Sequence, residues 1–547
     1  MFNQNSGTKE KQPFFVFLFF VGLILFNHSY GYFGHYGYDD MLYAKISEAF
    51  VHGNTMFDES FSYRFPIILL TSFSYLIFGV SDFSSSLPPL LISISILFVV
   101  YVSLRKFGTF QTFIGLALTT LINIFLFYSD KIMPDIYVAF FLLLSIYWID
   151  RYKFYVKKNE LLYSFLFVVS LFLAFASKET AVLFLPLPIL IFVSDFYQKR
   201  NQKFWIYSVF IGIGILALYL LVIWLLTGNL FKRVEVLSMT HQTQIYKYSY
   251  DTQPVIILVK RLFFDLFKLY ITEGVFISMV FTLPIIFSKR FKEIVKINDT
   301  ASLYLFSSFI LLLSSNFMTI SPFSYHPVPA DVRHTLFLIP INAIAASFVV
   351  KDFLLEKTKK YQIIICLILF SALSYFLQKN IFYDLYLPLT ILSISLILIK
   401  MKIHYLKIIF SICLLIILSI TPYKFFVYSA TNVNYNLQKE IVLNHFVKSN
   451  KKCYVFTDPM QKNIGNYYLE FDTSKNCKFI DYADFKTEHF ESNFKKYLLL
   501  NWHTQFYSNS LDNLPDFVKN IDSTYFLKFQ NKKHGIFIYE LTNLPQK

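Results

Sequence analysis

Residues 206–226 read IYSVFIGIGILALYLLVIWLL, an apolar run without a single charge. A helix rises about 1.5 Å per residue, so about 20 such residues cross the roughly 30 Å hydrocarbon core of a bilayer. Similar runs occupy 14–26, 107–127 and 161–176, and the pattern continues to about residue 420. The chain of 547 residues is 55% hydrophobic and only 16% charged, more apolar surface than a soluble core can bury. We therefore read an α-helical polytopic membrane protein. Its net charge of +15 would suggest nucleic acid in a soluble chain. Here the basic residues sit in short clusters between apolar runs, so membrane lipid is an expected partner and nucleic acid is not. The first run follows Lys9 and Lys11 without a small-residue cleavage site and is read as an uncleaved helix.

Basic clusters at 105–106, 151–158, 199–203, 289–296, 351–360 and 400–407 are placed in the cytoplasm by the positive-inside rule. The connections between them, 30–66, 129–135, 177–179, 227–254, 321–334 and 378–384, are then extracytoplasmic. The count closes if 65–79 and 255–270 lie at the interface rather than cross. The first is short and ends in Gly79; the second carries Lys260, Arg261, Asp265 and Lys268 on one helical face. About thirteen spans remain, with 136–149 short for one. The N-terminus is cytoplasmic, residues 1–422 form the transmembrane domain, and 423–547 form an extracytoplasmic tail. A plasma (inner) membrane location is assumed from the Phe, Ile, Lys and Asn bias.

The tail mixes charges and amides with short apolar runs at 453–456, 497–500, 525–529 and 536–539, which read as strands. Residues 531–535 read as a hairpin turn and 436–447 as a helix, giving a small α/β domain. Cys453 and Cys477 are too widely spaced for a zinc pair; they are either a disulfide or two reduced thiols. Cys366 and Cys413 lie inside apolar runs.

This topology collects Asp39, Asp40, Arg64, Asp130, Asp135, Lys178, Glu179, His326, Asp331, Arg333 and His334 on one side of the membrane. Ionisable groups near lipid are costly unless solvated or paired, so acids mixed with Arg and Lys suggest a pocket for an anionic headgroup. Either carboxylate of Asp39–Asp40 could act as general base on an acceptor hydroxyl, or one could simply cap the helix that follows. Lys178 and Arg333 have a snorkelling alternative at helix ends. His326, Asp331 and His334 are irregularly spaced for a metal and interrupted by Pro327 and Pro329; a divalent cation is left open. His241 reads as solvated, in a loop from 227 to 254 expected to cover the pocket.

The segment Tyr38-Asp39-Asp40-Met41-Leu42-Tyr43-Ala44 resembles the acidic-pair motif in the first outer loop of the glycosyltransferase C superfamily. Further segments follow in family order. Arg64-Phe65-Pro66 and Phe78-Gly79-Val80-Ser81-Asp82-Phe83-Ser84 resemble those of the aminoarabinose-transferase and protein O-mannosyltransferase-like branch. Met133-Pro134-Asp135 resembles the second acidic loop, Ser177-Lys178-Glu179-Thr180-Ala181 the Thr-Lys-Glu turn, and Asp331-Val332-Arg333-His334 the opening of a late helix. The resemblance spans roughly residues 10 to 350. It implies a GT-C fold and transfer of a sugar, with inversion, from a polyprenyl-phosphate carrier to a protein, lipid or glycan. Asp39 would be the base, with Asp40 its partner and Asp135 the second acid. Arg64 would clamp the donor phosphate, with Lys178 and Arg333 stabilising the leaving group; Tyr43, Glu179, Asp130 and His334 complete the expected pocket. Leu42 stands where aminoarabinose transferases carry Arg, which argues against lipid A as acceptor. The competing reading is a transporter or flippase of lipid-linked saccharides, whose charges would line a midplane path. A third, an O-antigen-ligase or polymerase-like protein, fits the early acidic pair less well.

Overall fold

The computed structural model describes residues 6–541 except 36, 157, 240–253, 289–290, 322–324, 356, 400, 433–434, 449–451, 473, 483, 485–489, 492, 508–515, 520 and 522–524. His241 and most of its loop therefore lie outside the described residues. The first half runs α1 (Ser6–Gly31), α2 (Asp39–Val51), α3 (Phe65–Phe78), α4 (Asp82–Leu104), α5 (Thr109–Thr120), α6 (Asn123–Tyr128), α7 (Pro134–Arg151) and α8 (Glu160–Ser177). Among the described residues nine helices are long and apolar enough to cross a bilayer. A tenth results if Val255–Thr272 and Phe276–Ile286, bent by 107°, are one broken span. Part of the distance from the expected count lies in apolar runs that do not form one long helix. Residues 107–127, for example, break at Leu121–Ile122 into α5 and α6.

Burial sorts these helices. Leu338–Leu355 has 83% of its apolar window buried, and its small residues Ala343, Ala345 and Ala346 let α5 pack closely against it. Gln202–Thr227, with 11% buried, turns its side chains outward, as a lipid-facing helix must. The stretch expected to lie at the interface after residue 254 is only partly amphipathic in the way the sequence suggests. Arg261 points inward, fully buried, donating to the Val328 carbonyl and, at 3.1 Å, to Asn316. A guanidinium can be buried there because those oxygens satisfy its donors. α3 forms as expected, begun by Pro66 and stopped at Gly79, where φ is +69°; Phe73 and Leu76 face outward.

α7 relates the two ends of the bundle. Asp135 opens it and Arg151 closes it, about 25 Å apart at helical rise. Near Arg151 gather Lys106 with Asp150, 3.9 Å apart, and Lys153 with Asp195. These are the basic clusters of the sequence, at the end opposite the mixed acids and bases.

The last long helix, Ile403–Asn432, continues through Pro422 before the tail begins. The tail sheet has the order β2-β1-β3-β5-β4, with β1 Cys453–Thr457, β2 Cys477–Asp481, β3 Lys495–Asn501, β4 Tyr525–Asn531 and β5 Ile536–Leu541. β1 is parallel to both neighbours, and β4–β5 is the expected hairpin. The tail helix Pro459–Tyr468 crosses from β1 to β2 and meets α2. Tyr467 donates to or accepts from Ser85 (2.7 Å) and His35 (3.2 Å), and Lys439 pairs with Asp82 at 2.6 Å. Gly37 fits beneath this helix only because it lacks a side chain: a Cβ would lie 2.8 Å from Met460 Cγ, and its φ is +94°.

Candidate active site

α2 starts immediately after the Gly37 turn, which places Asp39 at its first position with the side chain 37% exposed. Asp40 turns back on the loop instead. Its Oδ1 accepts from the amides of Gly37, Tyr38 and Met41 at 2.9–3.1 Å, and its Oδ2 lies 3.6 Å from His35. That geometry holds the turn, leaving Asp39 to face the cluster. Arg333, in the short turn before Leu338–Leu355, reaches Asp39 at 3.3 Å and Asp331 at 2.9 Å.

Two further groups complete the cluster. Lys178, at the end of α8, donates to Asp135 at 2.6 Å and to His334 Nδ1 at 2.7 Å. An ammonium has no lone pair, so Nδ1 accepts and the ring proton belongs on Nε2. The 3.5 Å approach of the same Nδ1 to Asp135 is secondary to that bond. Burial pushes the His334 ring below its ordinary pKa, and the adjacent Lys178 charge adds to the effect. Burial also lowers the Lys178 ammonium, with Asp135 opposing. Arg64, at the start of α3, donates to the Tyr43 hydroxyl and to Glu179 at 3.0 Å, its guanidinium 4.3 Å over the Phe61 ring. Arg233 holds the other Glu179 oxygen at 3.2 Å.

Four carboxylates, Asp39, Asp135, Glu179 and Asp331, thus face four cations, Arg64, Lys178, Arg233 and Arg333. With His334 neutral the cluster is balanced, and an arriving phosphate would compete with carboxylates for guanidinium donors. Asp130 is not joined to it; it pairs with Lys131 at 2.6 Å and His28 at 3.0 Å. Among the described residues no three His, Cys, Asp or Glu side chains gather as metal ligands. Sequence reasoning missed Arg233, which lies in a long connection with no motif around it. Its only sequence signal is a charge just beyond the span 202–227.

Residues 66–224 match the family model described as dolichyl-phosphate-mannose-protein mannosyltransferase. The crystal structure of ArnT from Cupriavidus metallidurans in the apo state superposes over 96% of this chain and 97% of its own, with a TM-score of 0.56 at 13% identity. This is a GT-C fold. A second crystal structure, of the same ArnT bound to undecaprenyl phosphate, aligns with this chain equally completely, at a TM-score of 0.58 and 11% identity. No curated protein sequence matches it. Within this fold, the first loop, the start of α3, the start of α7, the end of α8 and the turn before Leu338–Leu355, all singled out in the sequence, supply every charged member of the cluster except Arg233.

Proposed function

We propose that the protein transfers a sugar from a polyprenyl-phosphate-linked donor to a hydroxyl of a protein, lipid or glycan acceptor, with inversion. One observation carries this: Asp39 lines an open cavity while Asp135 and Glu179 are buried and held by cations. Asp331, the other exposed carboxylate of the cluster, does not line that cavity, so Asp39 is the one placed to meet an incoming hydroxyl there. In the reaction the acceptor oxygen bonds to the anomeric carbon from the face opposite the phosphate, and its proton passes to Asp39. The bond between that carbon and the phosphate oxygen breaks, and its electron pair leaves on the polyprenyl phosphate. Arg64, Lys178 and Arg333 would stabilise that charge, Arg64 exchanging Glu179 for phosphate oxygens. The acids beside them are already matched by side-chain cations.

The reading sets the cluster and the tail on the extracytoplasmic face of the plasma membrane, with the N-terminus inside. The basic clusters at the opposite end support that orientation. The test is transfer by protein reconstituted with a polyprenyl-phosphate sugar. Asp39→Asn should insert normally and lose turnover by about 10²-fold or more, as removal of a general base does. Full turnover by that variant, or passage of the lipid-linked sugar across liposomes with no covalent product, would overturn the proposal.

A further inference from the structure

An open groove of about 760 Å³ runs from Asp39 between α2 and the tail. Lys45 of α2 and Lys478 of β2 line it, together with Asn463 and Asn466 of the tail helix. Both lysines are exposed, and neither forms an ion pair among the described residues. A third ammonium, Lys462, is held 2.9 Å from Asp484. The other acid in the groove, Asp472, accepts from Ser474. Asn463 donates one amide hydrogen to the Gly37 carbonyl at 3.1 Å, which leaves its second hydrogen as a donor and its carbonyl oxygen as an acceptor.

Phe471 supplies the remaining wall. Glu470 and Phe471 both sit in the left-handed backbone region, with φ of 59° and 56°, a conformation that residues other than glycine adopt only at a cost. The turn sets the Phe471 ring edge-on to Tyr467, 6.0 Å between centroids, and within the groove wall. An aromatic ring flanked by side-chain amides suits the apolar face and vicinal hydroxyls of a pyranose. Two exposed ammonium groups without carboxylate partners suit a carboxylate or phosphate substituent on it.

We propose that this groove binds the acceptor, and that the acceptor is an acidic saccharide. The inference rests on Asp39 as base and on the donor assignment above. A hydroxyl of the saccharide lies against Asp39 while its anionic group meets Lys45 and Lys478. The hydroxyl oxygen then bonds to the donor's anomeric carbon, the proton goes to Asp39, and the phosphate leaves with the electron pair of the broken bond.

The test is calorimetric titration of the full-length protein in nanodiscs. The ligands are a galacturonic acid hexamer, its fully methyl-esterified form, a mannose 6-phosphate hexamer and an acidic serine peptide. Expected is binding of one or both charged hexamers, at least about tenfold weaker for the methyl ester and in the Lys45→Gln/Lys478→Gln variant, and weakening with added salt. Phe471→Ala should weaken the esterified and charged forms alike. Equal binding of ester and acid, no effect of the lysine pair, or binding of the peptide alone would overturn the proposal. Undecaprenyl phosphate titrated into the same preparation separates the two readings. Its binding without that of any hexamer overturns the groove alone; hexamer binding without it overturns the donor assignment instead.

Discussion

His334 takes its charge state from the side chains around it. Burial beside Lys178 holds its native pKa below the ordinary 6.5, so the ring stays neutral where the unfolded chain is already protonated. The unfolded state then binds more protons, and stability falls as pH drops through 6.5 toward the lowered native value. A His334→Gln variant should show a shallower loss of melting temperature across that window; an unchanged slope would mean that the ring is protonated in the fold. At this scale the sequence revealed which residue types matter and hid their pairings. Asp135 and Lys178 lie 43 positions apart, and nothing in their spacing says that one neutralises the other. Likewise the residues alone left either of Asp39 and Asp40 as the base and only the resemblance preferred Asp39; in the structure the backbone of the turn separates the one facing the cluster from the one bonded to three amides.

Among the elements, the turn before α2 and the strand pair β1–β2 make separate demands. Gly37→Ala would place a methyl group against Met460 and force a left-handed backbone, costing roughly 1–3 kcal/mol. Gly53→Ala, at a φ of +75° with nothing within 4 Å, carries the backbone cost without the collision. The first variant should therefore lose more thermal stability than the second, and more transfer activity, because the displaced turn carries Asp39. In the tail, Cys453 and Cys477 are register partners on adjacent strands, with their sulfurs 2.9 Å apart and both thiols free. Oxidation should join them, seen as the loss of two alkylatable thiols and a gain of about 3 kcal/mol expected for a closed loop of this length. Four of the five strands were legible because aromatic and branched residues crowd into them. β2 was not, since Cys477–Asp481 alternates burial with a lysine over only five residues. The break of 107–127 was equally invisible, its hydropathy passing unchanged through Leu121 and Ile122.

For the molecule as a whole, the two ends of α7 carry opposite instructions, acids mixed with bases at one and basic loops at the other. Single cysteines at Lys45 and Lys478 should react with an impermeant maleimide added outside intact cells, and one at Lys199 only after permeabilisation. The reverse pattern would remove the orientation on which the proposed reaction depends. Hydropathy made the bundle readable, because lipid leaves a helix few alternatives. The docking of the tail was not readable, since it rests on single contacts such as His35 with Tyr467, 432 residues apart. That separation sets an order on biosynthesis. The opening loop leaves the ribosome early, yet its clamp is made more than four hundred residues later. A nascent protein already threaded through the bilayer would carry every charge of the cluster and still hold Asp39 on an unsupported turn. On the proposed reaction, competence would arrive only once the tail helix had been made and docked, long after the last charge of the cluster.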